Sequence, residues 1–383
     1  MRSATTTPLI LLAVFLDALA YAMLVPLAPE FGRQLQIDQA ATGLVFGIYA
    51  IGLIGAVLPL LLFGQRCPPA RILGAGVMLL VLALAIYPLA DQLMLLLLAR
   101  VLQGAASGLI WTGGLATMAC EPSPIRRGRN MGLLVTAFSL GMMLGPPLAG
   151  ALLGLLGPMT VFLVALALSA PLVWLWLITL RSPQQKSSDV MPTRHLPLLQ
   201  LLRDPVCQVF CGAVAVTALA MGFLEPVLPI WLEQAHGRGG LTSGLLFGLL
   251  ALSLALAAPL AGARLYAIPS ARLLRLGLSG LGLLSMSLPL LPPALLFPVM
   301  AGIGLICGVL LAPTMPGLAR RMENLGNPDY AVIYALFNLS FAAGLAAGPL
   351  LGGLLAEYLG GLPALLLLGA AMLLAAARNP FRG

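Results

Sequence analysis

The sequence contains very little charge. Only 8% of its 383 residues are Asp, Glu, Lys or Arg, and 60% are hydrophobic, whereas an ordinary soluble domain is about 25% charged. The mean hydropathy is +1.04. A soluble fold could not bury this much apolar surface. The apolar runs are also long and do not alternate with polar residues, which excludes a transmembrane β-barrel. The composition therefore predicts an all-α membrane protein.

The sequence also lacks the usual motifs of enzymes and metalloproteins. Its five cysteines and two histidines form no set of metal ligands. Cys207 and Cys211 share a helix face at a spacing of four, and packing is the better interpretation of this pair. No Walker lysine motif, HExxH or GxSxG occurs. The short loops leave no room for a catalytic domain outside the membrane. We therefore expect no enzymatic activity, no cofactor and no bound metal.

The apolar runs are long enough for helices that cross a bilayer, for which about 20 residues are needed. Pro292 and Pro293 supply the turn between the ninth and the tenth run. The twelve predicted spans cover residues 8–28, 41–63, 72–90, 93–120, 129–154, 158–180, 206–232, 242–262, 271–291, 293–318, 329–356 and 361–378.

The basic residues are segregated between the loops. If the N-terminus is cytoplasmic, all but three of the 20 Lys and Arg residues fall in cytoplasmic segments. Arg33 and Arg238 lie in outer loops, and Arg100 lies within the fourth span. Because cytoplasmic loops carry the excess of Lys and Arg, this pattern predicts that both termini are cytoplasmic. The net charge of +8 thus reflects topology, and we expect no nucleic-acid partner.

The chain repeats itself at a spacing of about 200 positions. "YAMLVPLAPEF" carries Pro26 where "MGFLEPVLPIWL" carries Pro226, and Gly145-Pro146 recurs near position 348. The long polar stretch 181–205 lies between the copies. Parallel six-helix repeats of this kind occur in transporters, which bind substrate between the halves. We predict a six-helix bundle at 1–180, a cytoplasmic linker at 181–205 and a pseudo-symmetric six-helix bundle at 206–383.

Three charged residues fall inside predicted spans: Asp17, Arg100 and Glu225. A charge at the bilayer centre costs about 2.5–3.5 kcal/mol on insertion scales. The two acids lie on the first helix of each half, beside the expected central cavity. Burial favours the neutral form of a carboxyl, so both could bind and release a proton. The alternative is an internal salt bridge that only locks helices together.

Prolines and small residues mark further candidates. Pro26, Pro226 and Pro229 remove backbone donors beyond each acid, which predicts either loosened outer ends that gate the cavity or fixed kinks needed for packing. Arg100 and Gln103 share one face of the fourth span and could bond each other, a backbone carbonyl or an acid. Gly104 belongs to a run of small residues that favours close helix packing.

Several of these motifs resemble those of a known superfamily. "RVLQG", with Arg100, Gln103 and Gly104, resembles the Arg-x-x-Gln-Gly motif of drug:proton antiporters of the major facilitator superfamily. "GMMLGPPLAG", with Gly145, Pro146 and Pro147, resembles the antiporter motif of the fifth helix. "LDALAYAMLVPLAPEF", "LEPVLPIW" and "VIYALFNLSFAAGLAAGPLLGG" are similar to the vesicular amine transporter family.

The resemblance implies a major facilitator fold that exchanges protons for a substrate, with Asp17, Glu225 and Arg100 at the family's charged positions. The amine carriers have a lysine where this chain has Tyr49, and aspartates where it has Leu311 and Asn338. These differences leave the substrate open. The cavity candidates are Tyr49, Trp111, Met221, Tyr334 and Asn338.

We therefore expect a monomeric proton-coupled antiporter that exports a small organic molecule across a bacterial inner membrane, with protons and the lipid bilayer as its other partners. The exported molecule could be an amphiphilic cation or drug, or a secreted metabolite such as a siderophore. A proton-coupled importer or facilitator is the second possibility. A non-transporting membrane scaffold or sensor is the third.

Overall fold

The structure is a computed structural model that describes residues 3–63, 68–119, 124–180, 203–262, 270–314, 317–318, 320–321 and 330–378. Within these ranges the long elements are all helices, and they confirm the twelve predicted spans. They are α1 (Ser3–Ala22), α2 (Gln39–Phe63), α3 (Pro69–Ile86), α4 (Leu93–Ala119), α5 (Pro124–Leu156), α6 (Pro158–Leu180), α7 (Pro205–His236), α8 (Gly240–Gly262), α9 (Ser270–Ser287), α10 (Pro293–Leu311), α11 (Tyr330–Leu359) and α12 (Gly361–Arg378).

Eleven of these helices are long and apolar enough, over their described residues, to cross a membrane. The remaining one, α6, has a shorter described apolar segment, Pro158–Trp174. Helix α10 ends at Leu311, seven residues before the predicted end of that span at 318. Residues 312 and 313 form a turn, and the described residues 314, 317 and 318 are helical again. The predicted end of the span is therefore helical, but it lies beyond a turn that interrupts the helix.

The shared proline spacing has different results in the two halves. Helix α1 ends at Ala22 and is followed by a 3-10 turn, Val25–Leu27, and a short helix, Ala28–Leu35. Helix α7 instead continues through Pro226 and Pro229 to His236, where Gly237 ends it with a left-handed φ of 60°. The first predicted span, 8–28, is therefore two helical pieces that together reach Leu35.

The pairing of helices is the same in the first six and the last six. Helix α1 packs on α5, α2 on α4, and α3 on both α4 and α6. The equivalent pairs α7 with α11, α8 with α10, and α9 with α10 and α12 also form. This is the pattern that a duplicated six-helix unit produces. The linker boundaries stay a prediction, because residues 181–202 lie outside the described residues.

Two helix pairs, α2 with α11 and α5 with α8, form the largest contacts between the halves, and both are built on glycines. A Cβ added at Gly43 of α2 would lie 2.8 Å from the Cα of Gly353 in α11. A Cβ added at Gly244 of α8 would lie 2.8 Å from the backbone carbon of Pro146 in α5. Gly43 and Gly244 are themselves about 200 positions apart. The interface between the halves is thus duplicated like the helices.

The two ends of the bundle differ in charge. We call the end that carries the α1–α2 and α7–α8 connections the distal face, and the opposite end, where α1 begins, the proximal face. Exposed arginines gather at the proximal face, where α5 and α9 start and α12 ends. They are Arg126, Arg129, Arg272, Arg275 and Arg378. The positive-inside rule would place this face in the cytoplasm, and that orientation stays a prediction.

An ion pair fixes the proximal end of α7. The carboxylate of Asp204 accepts hydrogen bonds from the backbone N–H groups of Val206 and Cys207, both at 3.0 Å, and so caps the helix. The guanidinium of Arg321, which follows α10, donates to the same carboxylate at 2.6 Å. The hydrogen bond from Arg321 lowers the pKa of Asp204 below its ordinary value. The start of α7 is thereby tied to the chain after α10.

Candidate functional site

A buried polar cluster lies where α1, α2, α4 and α7 meet. Asp17, Arg100 and Glu225 are 1%, 0% and 4% exposed. In the described part of the chain they are the only buried side chains of ionised type. Neutral polar and aromatic side chains connect them. The three charges that the sequence places inside spans are therefore brought into one region of the fold.

Asp17 reaches α4. The hydroxyl of Ser107 donates to Oδ2 of Asp17 across 2.6 Å. The other oxygen, Oδ1, is buried and has no hydrogen-bond partner among the described residues. One half of the carboxyl is therefore bonded and the other half is not. Sequence reasoning missed Ser107, because a serine in a helix of small residues carries no signal of its own.

Glu225 is bonded across the two halves. The hydroxyl of Tyr21 lies 2.9 Å from Oε1 and 2.8 Å from Oε2 of Glu225. Tyr21 follows Asp17 by four residues and so lies on the same face of α1. The bond joins the first helix of one half to the first helix of the other. Tyr21 was also missed from sequence, where its spacing from Asp17 is the only available signal.

Arg100 is held by neutral groups. Its Nε donates to the carbonyl of Val45 at 2.9 Å and its Nη2 to the carbonyl of Phe46 at 3.3 Å. Its Nη1 donates to Oε1 of Gln103 at 2.8 Å. The guanidinium carbon also lies 4.9–5.4 Å from the ring centroids of Tyr21, Phe46 and Tyr49, within the range of cation–π attraction. The bonds to Gln103 and to backbone carbonyls are among those predicted for Arg100 from the sequence.

Gln103 and Gly104 fix the arginine and the neighbouring helix. Oε1 of Gln103 accepts a second hydrogen bond, from the hydroxyl of Tyr87 at 2.6 Å, while Nε2 has no partner among the described residues. A Cβ added at Gly104 would clash with the carbonyl group of Tyr49. Gly104 therefore lets α4 and α2 touch, and this contact brings Tyr49 next to Arg100.

Of the five predicted cavity residues, one belongs to the buried polar cluster. Tyr49 belongs to the cluster, where its ring lies 4.6 Å from that of Tyr21 and close to Asp17. Trp111 is half-buried and meets Phe138 edge-on at 5.2 Å. Met221 and Asn338 are half-buried on α7 and α11. Tyr334 is in α11, but its side chain lies outside the described residues.

The predicted gating residues lie at helix contacts. A Cβ added at Gly145 would lie 2.7 Å from the carbonyl oxygen of Leu19, so this residue lets α5 approach α1. Pro146 and Pro147 instead face α8, where they contact Gly244 and Gly248. The prolines of the first and seventh spans, Pro26, Pro226 and Pro229, are all buried.

The halves are most tightly joined at the distal face. Arg33 forms ion pairs with Glu30 of its own helix, at 2.8 Å, and with Glu233 of α7. The backbone N–H of Gln39 donates to the carboxylate of Glu357 in α11 at 2.9 Å. These bonds add to the glycine contacts of the same end and close the distal face.

The contact between α2 and α11 loosens toward the proximal face. Gly47 of α2 still packs closely on Ala346 and Leu350 of α11. Further along that face of α2, Ile51 is 55% exposed and Leu58 is 43% exposed. Helix α2 therefore separates from α11 as it approaches the proximal end, while it stays packed on α4 through Gly52 and Gly108.

A twelve-helix membrane fold with buried charges between its halves defines a class of protein, the multi-pass transporters. The sequence model of the Major Facilitator Superfamily matches residues 10–331. The chain belongs to this superfamily, whose members carry small molecules across membranes and are not enzymes.

Within the superfamily, the chain is similar to the vesicular amine and acetylcholine transporters. The chain is 27% identical over 293 residues to the chromaffin granule amine transporter of Homo sapiens. This match covers 75% of the present chain and 54% of the relative. The chain is 26% identical over 399 residues to the vesicular acetylcholine transporter of Drosophila melanogaster, with 91% and 66% covered. The chain thus spans about half to two thirds of the length of these relatives. The resemblance to vesicular amine transporters is confirmed.

A solved structure shares the fold. A bacterial homolog of the human lysosomal transporter Spinster, in an inward-facing and occupied conformation, superposes with a TM-score of 0.77. The two chains are 14% identical, and the match covers 98% of this chain and 97% of the other. At this identity the likeness concerns the fold alone, and it confirms the predicted architecture.

Proposed function

We propose that this transporter is a proton-coupled antiporter that exports a small organic molecule by alternating access across a bacterial inner membrane. The observation that carries the proposal is the buried cluster, in which Asp17 and Glu225 occupy the first helix of each half. A bare charge at this depth is costly, so the presence of an acid on the first helix of each half favours a functional role.

The number of charges in the cluster supports coupling. Arg100 stays protonated in proteins, and the buried cluster to which it belongs contains two carboxyl groups, those of Asp17 and Glu225. One carboxylate balances the guanidinium, and the second needs one more positive charge. That charge can be a proton or a cationic substrate, but the presence of one disfavours the other. Such competition for one negative charge is what antiport requires.

The surroundings of the cluster favour an organic cation as the substrate. Carboxylates and the faces of tyrosine rings both attract cations. The hydroxyl of Tyr21 contacts Glu225 and Tyr49 lies near Asp17. Three of the five N–H groups of Arg100 already donate hydrogen bonds within the protein, and its guanidinium is surrounded by the rings of Tyr21, Phe46 and Tyr49. The arginine is therefore poorly placed to bind an anionic molecule, and an amine or cationic drug fits better than an acidic siderophore.

The closed distal face supports alternating access. In transporters of this architecture the halves rock around a central site. With the proximal face in the cytoplasm, the conformation with a closed distal face would take substrate from the cytoplasm. Opening requires the separation of the Arg33–Glu233 ion pair and of the glycine contacts. An importer or facilitator would use the same two conformations, so the direction must be measured.

The test is substrate-induced proton movement. The protein is reconstituted in liposomes that contain a pH-sensitive dye, and amines, cationic dyes, polyamines and siderophores are added in turn under a pH gradient. We expect proton release with an organic cation, and its loss in Glu225→Gln. Replacement of the exposed acid Asp91 by Asn is the matched control and should leave the signal unchanged.

The other functions predict different results. An importer or facilitator would transport a compound of the panel without the expected proton counterflow. A scaffold or sensor would give no flux, and Asp17→Asn and Glu225→Gln would then have no transport to abolish. Undiminished proton movement in Glu225→Gln would contradict the proposed mechanism even if transport occurs.

A further inference from the structure

The two buried acids are bonded in different ways. Both oxygens of Glu225 lie at nearly the same distance, 2.9 and 2.8 Å, from the Tyr21 hydroxyl. For Asp17, Oδ2 is bonded to Ser107 and Oδ1 is bonded to nothing among the described residues. This contrast carries information about the location of protons.

An ionised carboxylate spreads its charge equally over both oxygens and only accepts hydrogen bonds, whereas a neutral carboxyl has one donor oxygen. A single donor placed midway between the two oxygens therefore suits an anion, as at Glu225. A buried anionic oxygen with no partner is costly, so the unpartnered Oδ1 suits a neutral Asp17. A protonated Asp17 can also donate to the Ser107 hydroxyl across the same 2.6 Å.

The positions of the other charges agree with this division. The ring of Tyr21 lies under the guanidinium of Arg100, at 5.2 Å, while its hydroxyl contacts Glu225. Arg100 and Glu225 are thus linked through one side chain. Helix α2 brings Tyr49 to Asp17, and α4 brings Ser107. Helices α5 and α6, which also pack on α1, bring no buried charged side chain in their described parts.

We propose that in the conformation with a closed distal face Asp17 holds the exchanged proton, whereas Glu225 stays ionised and is bonded by Tyr21 across the halves. The charges in the cluster then sum to zero, with Arg100 positive, Glu225 negative and Asp17 neutral. When the proton leaves Asp17 for water, one negative charge remains for a cationic substrate. When the proton returns, that charge is lost and the substrate is released, so one proton exchanges for one positive charge.

Tyr21 has a defined task in this scheme. It is a positioning residue, because its hydroxyl is the hydrogen-bond donor that the described structure provides to Glu225. Without that hydroxyl Glu225 would be a buried anion with no donor, and it would take up a proton instead. Tyr21→Phe should therefore add a second protonated carboxyl to the protein, on Glu225.

The location of the proton can be measured without transport. The described chain has one buried aspartate and one buried glutamate, so isotope labels can separate them. The full chain is made by cell-free synthesis in detergent with aspartate or glutamate carrying ¹³C in the side-chain carboxyl. The infrared C=O band of a protonated carboxylic acid is then recorded at neutral pH. We expect one band, which shifts with labelled aspartate and not with labelled glutamate.

Conservative variants provide a second infrared test, in which Asp17 and Glu225 are both kept. Ser107→Ala should shift the aspartate band, because it removes the hydrogen bond to Asp17. Ser287→Ala is the matched control, because that hydroxyl bonds the carbonyl of Leu284 in its own segment, and it should leave the band unchanged. Tyr21→Phe should add a band that shifts with labelled glutamate. Tyr87→Phe, which loses a bond to Gln103, should not.

Each outcome decides the proposal. A wild-type band that shifts with labelled glutamate or with both labels, or the absence of any protonated carboxyl band, overturns it. So does a Ser107→Ala band at the wild-type position. The inference rests on the proposed antiport, but the two can fail separately. If liposomes show no proton movement and the band still belongs to aspartate, only the antiport fails. If protons move and the band belongs to glutamate, only this assignment fails.

Discussion

The bond between Tyr21 and Glu225 should stabilise the conformation with a closed distal face. Replacement of Tyr21 by Phe removes one hydroxyl and keeps the ring that packs on Tyr49 and Arg100. A hydrogen bond to a charged group contributes about 1.5–3 kcal/mol. Because the bond joins the two halves, its loss acts on the equilibrium between their arrangements and not only on folding. Each 1.4 kcal/mol is about tenfold in an equilibrium constant, so the open distal population should rise roughly ten- to a hundredfold.

Spin labels can measure this change. Leu89 and Leu290, each 68% exposed, follow α3 and α9 at the distal face of the two halves. With the native cysteines replaced, labels at these positions should give a short distance in the starting protein. Tyr21→Phe should add a population at longer distance. Tyr87→Phe is the matched control, since its lost bond lies within one half. An unchanged distribution in Tyr21→Phe, or the same change in both variants, would refute the reasoning.

Three further predictions follow from the packing and the ion pairs. Gly244→Ala should shift the same spin-label distance to longer values, because the new methyl group meets the backbone of α5, whereas Gly55→Ala, which meets nothing within 4 Å, should not. Arg100→Lys should reduce transport at least tenfold in the liposome assay, because a lysine cannot reproduce the three directed bonds of the planar guanidinium. Arg321 lowers the pKa of Asp204, so the stabilisation from this pair is present above the ordinary value of 3.8 and is lost as pH falls through the lower folded-state value. Thermal unfolding followed at acidic pH should show a larger loss in the wild type than in Arg321→Gln, where only the helix-cap bonds to Asp204 remain.

The charged members of the site could be predicted from the sequence, because a charge in a long apolar run costs free energy that must have a reason. Asp17, Arg100 and Glu225 are visible for this reason alone. Tyr21 and Ser107 are not, because a tyrosine or a serine is common in such helices. Their importance depends on where α1 crosses α4 and α7, and that crossing is a tertiary property.

Proline and aromatic positions show the same limit. The matching spacing of Pro26 and Pro226 indicates a repeat but not its geometry, since α1 breaks before its proline and α7 continues through. The contact of the Trp111 ring with Phe138 of α5 could likewise not be predicted from the residues around Trp111 in the sequence. Helix number and pairing follow from apolar length and repetition. The partners of single side chains require the packed fold.

The central claim is that protons and substrate move in opposite directions, and reversal of the pH gradient tests it most directly. Liposomes that contain the protein are given a labelled organic amine on both sides, and an inward or an outward proton gradient is then imposed. The account predicts net amine movement against the direction of proton flow in both cases, with none in Asp17→Asn. Amine flux that ignores the sign of the gradient, or that persists unchanged in Asp17→Asn, would contradict it.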